Sequence, residues 1–148
     1  MFTHVMTPVD GSDLSLRAAR HGMQLARLCK AKLTSITVSP TYRQHFQEGF
    51  VAPAVPVLRE RWEAQMAERA QEVLDQICME AGQVGVECNS LHVFGDAPYQ
   101  AIIDAAQSSN CDVVVMGSHG YGGAKLFILG SETGRVLSHS TIPVLVYR

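Results

Sequence analysis

A short apolar run that ends on glycine residues constrains the fold of this chain more than any other feature. Residues 113–116 read Val-Val-Val-Met and lead directly into Gly117-Ser118-His119-Gly120. Gly130 and Ser131 follow after nine intervening residues, and a helical pattern begins there. A buried strand that ends on glycines and opens onto a helix N-terminus is how α/β folds hold phosphate groups. The segment therefore indicates an α/β fold with a nucleotide site, although the glycines could also serve only turns and a helix cap.

Strand and helix patterns alternate along the chain. Apolar and β-branched runs predict five strands, at about 4–9, 33–38, 86–93, 111–116 and 142–147. Apolar residues at helical spacing predict four helices, at about 13–30, 58–81, 98–106 and 131–139. The irregular residues 39–56 predict a long loop. Because alternating strands and helices form right-handed crossovers, we predict one α/β domain over residues 1–148, a Rossmann-like five-stranded parallel sheet with helices on both faces.

Polar and glycine residues predict where the helices begin and end. Ser12 or Asp13 would cap the first helix, because short polar side chains accept hydrogen bonds from free amides of the first turn. Gly82 and Gly85 would end the second helix. Asp96 would cap the third helix in the same way as Ser12.

The composition argues against several classes of partner. A length of 148 residues, with 47% hydrophobic and 18% charged residues, is typical of one globular domain. A net charge of −2 with no basic cluster argues against nucleic acid as the main partner. No apolar run approaches the roughly 18 residues that a membrane span needs. The N-terminus lacks the features of an export signal, so we expect a cytoplasmic protein without a membrane partner.

The cysteines and histidines do not form a recognisable reactive pattern. The four cysteines, Cys29, Cys78, Cys88 and Cys111, include no C-x-x-C pair. We expect them to be small core residues in the reduced state rather than a disulfide framework or a metal site. The histidines are too scattered to predict a metal site, and nothing resembles a Ser-His-Asp triad.

The glycine segment does not match either of the two commonest nucleotide motifs. The chain has no G-x-x-x-x-G-K-S/T sequence, and its first strand–helix turn is Asp10-Gly11-Ser12 rather than G-x-G-x-x-G. Ligands of parallel sheets bind beyond the carboxyl ends of the strands, at the point where the strand order reverses. Three strand ends are therefore expected at the site: Val9-Asp10, Val38-Ser39 and Met116-Gly117.

The order of these motifs resembles the universal stress protein family. Its nucleotide-binding branch carries G-2x-G-9x-G-S/T, and Gly117, Gly120, Gly130 and Ser131 meet every position of that spacing. The opening residues 8–12 and the closing Ile-Pro-Val-Leu-Val also fit, so the resemblance runs from Thr3 to Arg148. It implies a sheet of the adenine nucleotide alpha hydrolase type and a homodimer paired through the last strand, at 142–147. That strand is apolar, and an unpaired edge of that kind favours a partner.

The resemblance also implies which residues would contact a nucleotide. Those at the adenosine end would be Pro8, Val9, Asp10 and Val38, with Met116 near the ribose. Those at the phosphate end would be Gly117, Gly120, Gly130 and Ser131, with Ser118, His119 and Thr133 nearby. Glu132 departs from the family pattern, which has a small apolar residue there more often. Its side chain would repel phosphates if it faced them, or stabilise the first turn of its own helix if it faced outward.

Two functions are consistent with these features. The first is an ATP-binding protein with a signalling role in the stress response, with Mg²⁺ or Mn²⁺ as a possible companion of the phosphates. No general base or arginine finger can be identified, so we expect slow or no hydrolysis. The second is a dimeric interaction protein of the same fold that binds no nucleotide. A third class, an enzyme of the wider superfamily, would need a further domain or an acid–base motif that the sequence does not show.

Overall fold

The structure is a computed structural model that describes residues 1–43, 56–120 and 129–148. The described residues form five strands: β1 (His4–Pro8), β2 (Lys32–Ser39), β3 (Cys88–Phe94), β4 (Val113–Gly117) and β5 (Val144–Tyr147). Four long helices join them: α1 (Asp13–Cys29), α2 (Pro56–Gln83), α3 (Pro98–Ser108) and α4 (Ser131–His139). Most of the loop predicted at 39–56 lies outside the described residues, as do residues 121–128.

The five strands form one parallel sheet in the order β3-β2-β1-β4-β5. The chain runs outward from β1 through β2 to β3, and then crosses to β4 and β5 on the other side of β1. The strand order therefore reverses between β1 and β4. The carboxyl ends of these two strands lie next to each other, which brings Asp10 and Gly117 to the same edge of the sheet. The predicted α/β class and the parallel sheet are confirmed.

Helices cover both faces of the sheet, as predicted. On one face α1 and α2 pack on a buried cluster that includes Val5, Leu33 and Leu74. On the other face a second cluster includes Met6, Ile36 and Val136, where α3 and α4 are packed. Adjacent residues of one strand enter opposite clusters because side chains alternate along a strand. A central strand buried on both faces is the reason that the sequence of β4 is apolar without interruption.

Several of the predicted limits differ from the structure by about two residues, and β3 and β4, for example, begin at residues 88 and 113 rather than 86 and 111. Gly82 lies inside α2, and the chain turns only at Gly85, whose positive φ of 76° suits glycine. Asp96 does not cap α3, because the N-cap is Ala97 and Asp96 instead accepts a hydrogen bond from the Thr41 hydroxyl. The last strand begins at residue 144 rather than 142. The expected cap of α1 is confirmed, since the Ser12 hydroxyl accepts from an amide of the first turn.

Two of the four cysteines are joined, which contradicts the expectation that all are reduced. Cys78 of α2 and Cys88 of β3 form a disulfide across a sequence separation of 10. Their Cα atoms are 5.2 Å apart because the last turns of α2 pack against the start of β3. Cys29 and Cys111 are free thiols. Burial raises the pKa of the Cys111 thiol to about 11, so this side chain stays protonated as expected of a core residue.

None of the helices among the described residues combines the length and the apolar character that crossing a bilayer requires.

Candidate functional site

A cavity of about 500 Å³ lies at the carboxyl ends of β1, β2 and β4. Residues from three strands and three helices line it, with the turn after β4 closing one side. Of the predicted site residues, all but Ser118 line this cavity, namely Pro8, Val9, Asp10, Val38, Met116, Gly117, His119, Gly120, Gly130, Ser131, Glu132 and Thr133. These residues are spread over most of the sequence, and the fold brings them together around one cavity.

Asp10 is held at one end of the cavity by the start of α1. Its Oδ1 accepts hydrogen bonds from the Ser12 amide at 2.9 Å and from the Ser12 hydroxyl at 2.6 Å. Its own amide donates to the Ser15 hydroxyl at 3.3 Å. These bonds form because the chain turns sharply after β1 and α1 begins at once. The Asp10 carboxylate is therefore oriented before any ligand arrives.

The glycine segment forms the part of the cavity wall that follows β4. Ser118 donates its amide to the Tyr147 carbonyl of β5 at 2.8 Å, and its carbonyl accepts from the Gly130 amide at 2.7 Å. The buried Thr133 hydroxyl donates to the Gly117 carbonyl at 2.8 Å. These hydrogen bonds place the N-terminus of α4 against the end of β4. Ser118 is consequently buried in this turn and does not line the cavity.

Two of the motif glycines occupy positions where a larger residue would not fit. A Cβ on Gly120 would collide with Oδ2 of Asp10, so the two ends of the site approach each other here. A Cβ on Gly130 would lie 2.9 Å from the Cα of His119 and 3.0 Å from the Ser118 carbonyl oxygen. Gly130 is therefore required by the turn itself. Gly120, in contrast, is required by the close approach of the Asp10 carboxylate.

The lining combines an apolar slot with a helix N-terminus. Ile36, Val38, Ile102 and Met116 line the cavity and belong to the core cluster below it. At the other end α4 begins at Ser131, and its N-cap, Gly130, makes no side-chain hydrogen bond to the first turn. The first amides of a helix have no partner within the helix and carry partial positive charge. The arrangement can thus receive a flat apolar group in the slot and an anionic group at α4.

Glu132 lines the cavity and caps a helix other than its own. Its Oε2 accepts a hydrogen bond from the Tyr99 amide at 2.8 Å, in the first turn of α3. Its Oε1 lies 3.2 Å from Nη1 of Arg135. The sequence left open whether Glu132 faces the cavity or stabilises the first turn of α4. Instead, the side chain reaches α3, whose N-cap residue Ala97 has no side chain able to cap it.

His119 also lines the cavity, and its Nδ1 lies 3.0 Å from the Ser118 hydroxyl. This hydrogen bond ties the ring to the buried end of the turn. Within the described residues there is no group of three or more His, Cys, Asp or Glu side chains able to hold a metal ion.

Five further lining residues were not predicted from the sequence: Ser15, Ile36, Pro98, Ile102 and Leu129. Ile36 could have been found, since it lies two positions before Val38 and so on the same face of β2. Pro98 and Ile102 come from α3, and no sequence signal indicates that α3 packs beside α4. Ser15 and Leu129 line the cavity because of the turns that precede α1 and α4.

Comparisons with known proteins agree with the architecture. The family model described as the universal stress protein family matches residues 1–148. Universal stress protein MJ0531 of Methanocaldococcus jannaschii is 30% identical over 152 residues, covering 100% of this chain and 83% of that protein. The solved structure of protein MJ0577 of the same organism superposes with a TM-score of 0.85 at 25% identity, covering 99% of this chain and 95% of that one.

Two structural neighbours were solved with adenine nucleotides. A universal stress protein in complex with cAMP has a TM-score of 0.69 at 24% identity, covering 99% of this chain and 97% of that one. The universal stress protein of Archaeoglobus fulgidus in complex with dAMP has a TM-score of 0.66 at 19% identity, covering 100% and 98%. At these identities the likeness shows a shared fold.

Proposed function

The chain belongs to the universal stress protein family, and on that premise we propose that its cavity binds an adenine nucleotide. One observation carries the proposal: an apolar wall and the N-terminus of α4, whose N-cap residue is Gly130, meet in one cavity at the point where the strand order reverses. That combination suits a ligand with a flat ring at one end and phosphate at the other. The neighbours solved with cAMP and dAMP support the same ligand class.

The residues present fit such a ligand. Asp10, beside Pro8 and Val9, would bind the adenosine together with Val38, and Met116 would lie near the ribose. Gly117, Gly120, Gly130 and Ser131 would hold the phosphates, with His119 and Thr133 beside them. Gly120 has no Cβ to displace the Asp10 carboxylate that packs against it, so the backbone of the turn and the carboxylate can both lie at the cavity wall.

We propose ATP as the ligand, with a divalent cation such as Mg²⁺ or Mn²⁺ neutralising its phosphates. The protein would bind rather than turn over the nucleotide, with slow or no hydrolysis, and would signal in the stress response through its bound state. Such a protein would act in the cytoplasm. A homodimer through the last strand fits this role, because β5 lies at one edge of the sheet and 44% of Leu145 is exposed there.

Glu132 is the observation that favours the second candidate, a dimeric interaction protein that binds no nucleotide. Its carboxylate lies on the wall where the phosphates would bind, and like charges repel. Native mass spectrometry of the freshly purified protein separates the two functions. A mass increase equal to an adenine nucleotide, together with measurable heat on titration with ATP and Mg²⁺, supports binding. An empty protein that shows no heat at millimolar nucleotide supports the interaction protein. The same spectra report whether the chain is a dimer.

A further inference from the structure

We propose that Cys78 and Cys88 form a reversible oxidation site, at which a small thiol–disulfide couple of the glutathione class makes and breaks the bond between α2 and β3. The inference takes the cytoplasmic location from the proposed function, because disulfides in that compartment are mostly transient and redox-sensing. The site lies at the amino ends of the strands, whereas the cavity lies at their carboxyl ends.

The disulfide lies at the margin of the core. Cys88 is the first residue of β3, and β3 is the strand at one edge of the sheet. Both cysteines are partly exposed, and Met79, the neighbour of Cys78, is 61% exposed. A thiolate from solution must reach one of the two sulfurs in order to exchange with a disulfide. The position at a partly exposed sheet edge favours that attack.

The packing of α2 on the sheet does not depend on the disulfide. Ile77 and Ala81, which lie on either side of Cys78 in α2, are completely buried. Val86, two positions before Cys88, is buried as well. All three belong to the buried cluster under α1 and α2. Because these apolar contacts remain when the disulfide is broken, the reduced chain should stay folded.

The turn between the two cysteines is held by its own hydrogen bonds. The Val84 and Val86 amides donate to the Ala81 carbonyl at 3.1 and 2.9 Å. The Leu33 amide of β2 donates to the Glu87 carbonyl at 2.8 Å. These bonds keep the end of α2 beside the start of β3 whether or not the sulfurs are joined. Two thiols held in this way close a disulfide faster than either reacts with a second molecule from solution.

The exchange consists of two balanced steps. In the oxidising direction, the thiolate of one cysteine attacks a sulfur of the small disulfide, releases one small thiol and forms a mixed disulfide. The second cysteine then attacks the protein sulfur of that mixed disulfide and releases the second small thiol. Two electrons pass from the protein to the small disulfide, and the two thiol protons end on the released thiols. Reduction is the same sequence in reverse.

Equilibration of the native protein in glutathione buffers tests the proposal. Samples at each ratio of reduced to oxidised glutathione are quenched with acid, alkylated and analysed by peptide mass spectrometry. We expect the bonded fraction to fall from about 90% or more to about 10% or less across the series, while circular dichroism stays that of the folded chain. Cys29→Ser is the matched control, because Cys29 is a partly exposed free thiol that packs against the same cluster. Its midpoint should equal that of the wild type.

Amide hydrogen exchange measures the structural consequence. Residues 79–87 should exchange about tenfold faster in the reduced protein, while the central strand β1 stays protected. The Cys78→Ser, Cys88→Ser double variant should exchange at the faster rate in both buffers.

Two results would overturn the inference. One is a pair that stays bonded in an about thousandfold excess of reduced glutathione, or that stays reduced in oxidised glutathione. The other is a chain that unfolds when the pair is reduced. Nucleotide titration is a separate test, since a protein that binds no nucleotide would contradict the proposed ligand and leave the redox measurements unchanged.

Discussion

Gly120 lies so close to Asp10 that a Cβ on the glycine would collide with Oδ2 of the carboxylate. The two residues come from the turn after β4 and from the end of β1, neighbouring strands at the reversal of strand order. Both residues line the cavity. A side chain at Gly120 would displace the Asp10 carboxylate from its position there.

Gly120→Val is therefore expected to lower adenine nucleotide affinity by about tenfold or more, since the added methyl groups displace Asp10 or fill the cavity wall. Displacing Asp10 also disturbs its hydrogen bonds to Ser12, so the free energy of unfolding should fall by about 1 kcal/mol. Gly82→Ala is the control, because no atom lies within 4 Å of a Cβ there. Titration calorimetry and urea unfolding measure the two quantities. Unchanged affinity in Gly120→Val would contradict the placement of the ligand.

Glu132→Ala should destabilise the fold by about 1 kcal/mol, because the first turn of α3 then loses a charged cap that Ala97 cannot replace. Glu132→Gln should lose less, since an amide oxygen still accepts from Tyr99. Urea unfolding monitored by the fluorescence of Trp62 gives both values. Equal losses of stability in the two variants would contradict the idea that the hydrogen bond from the Tyr99 amide stabilises the fold.

Reduction of the Cys78–Cys88 disulfide should lower the free energy of unfolding by about 2–3 kcal/mol, the range expected for a loop closed by a separation of 10 residues. Thermal unfolding with and without a phosphine reductant measures the difference. The Cys78→Ser, Cys88→Ser double variant is the control and should not respond to the reductant. A thiol count of two before reduction and four after it, in denaturant, would verify the pairing. Four reactive thiols before reduction would contradict it.

His92 is expected to make the fold less stable in mild acid. Burial holds the pKa of His92 below its usual value of 6.5, while its Nε2 lies 2.9 Å from the Ser39 hydroxyl. The unfolded chain therefore takes up a proton at His92 more readily than the folded chain. This stabilising contribution is complete above about pH 6.5 and is lost as the pH falls through the lower pKa of the folded state.

His92→Gln should remove this dependence, because glutamine does not titrate. Urea unfolding of both proteins at pH 8, 6.5 and 5.5 tests the expectation. The difference in unfolding free energy between wild type and variant should shrink or change sign as the pH falls. A difference that stays constant over this range would show that His92 is not the group responsible.

Local signals were sufficient for much of the fold, whereas the candidate site residues came from the resemblance to the universal stress protein family. Apolar periodicity predicted all nine helices and strands found in the described residues, and the helix at Ser131–His139 begins and ends where it was expected. Twelve of the predicted site residues line one cavity because the carboxyl ends of neighbouring parallel strands share an edge of the sheet. That rule needs only the order of the strands.

The wrong predictions for individual residues have a common physical cause. Asp96 was expected to cap α3, but its carboxylate accepts a hydrogen bond from the hydroxyl of Thr41, a residue distant in sequence. Cys78 and Cys88 were expected to be reduced, but the packing of α2 against β3 brings them together. Ser118 was expected at the cavity, but its amide and carbonyl are taken by β5 and by Gly130. Each of these outcomes depends on which element packs opposite the residue.

Hydrophobic periodicity and the general rules of parallel sheets predicted the alternation of strands and helices, the parallel sheet and the grouping of site residues at one edge, because these signals do not depend on how distant elements pack. That Glu132 caps α3 while lining the cavity follows from the packing of α4 beside α3. The direction of a carboxylate depends on the nearest available donor, and here that donor is the Tyr99 amide of another helix. Glycine spacing predicted where a phosphate could bind, whereas the packing of α3 beside α4 placed a competing negative charge at the same wall.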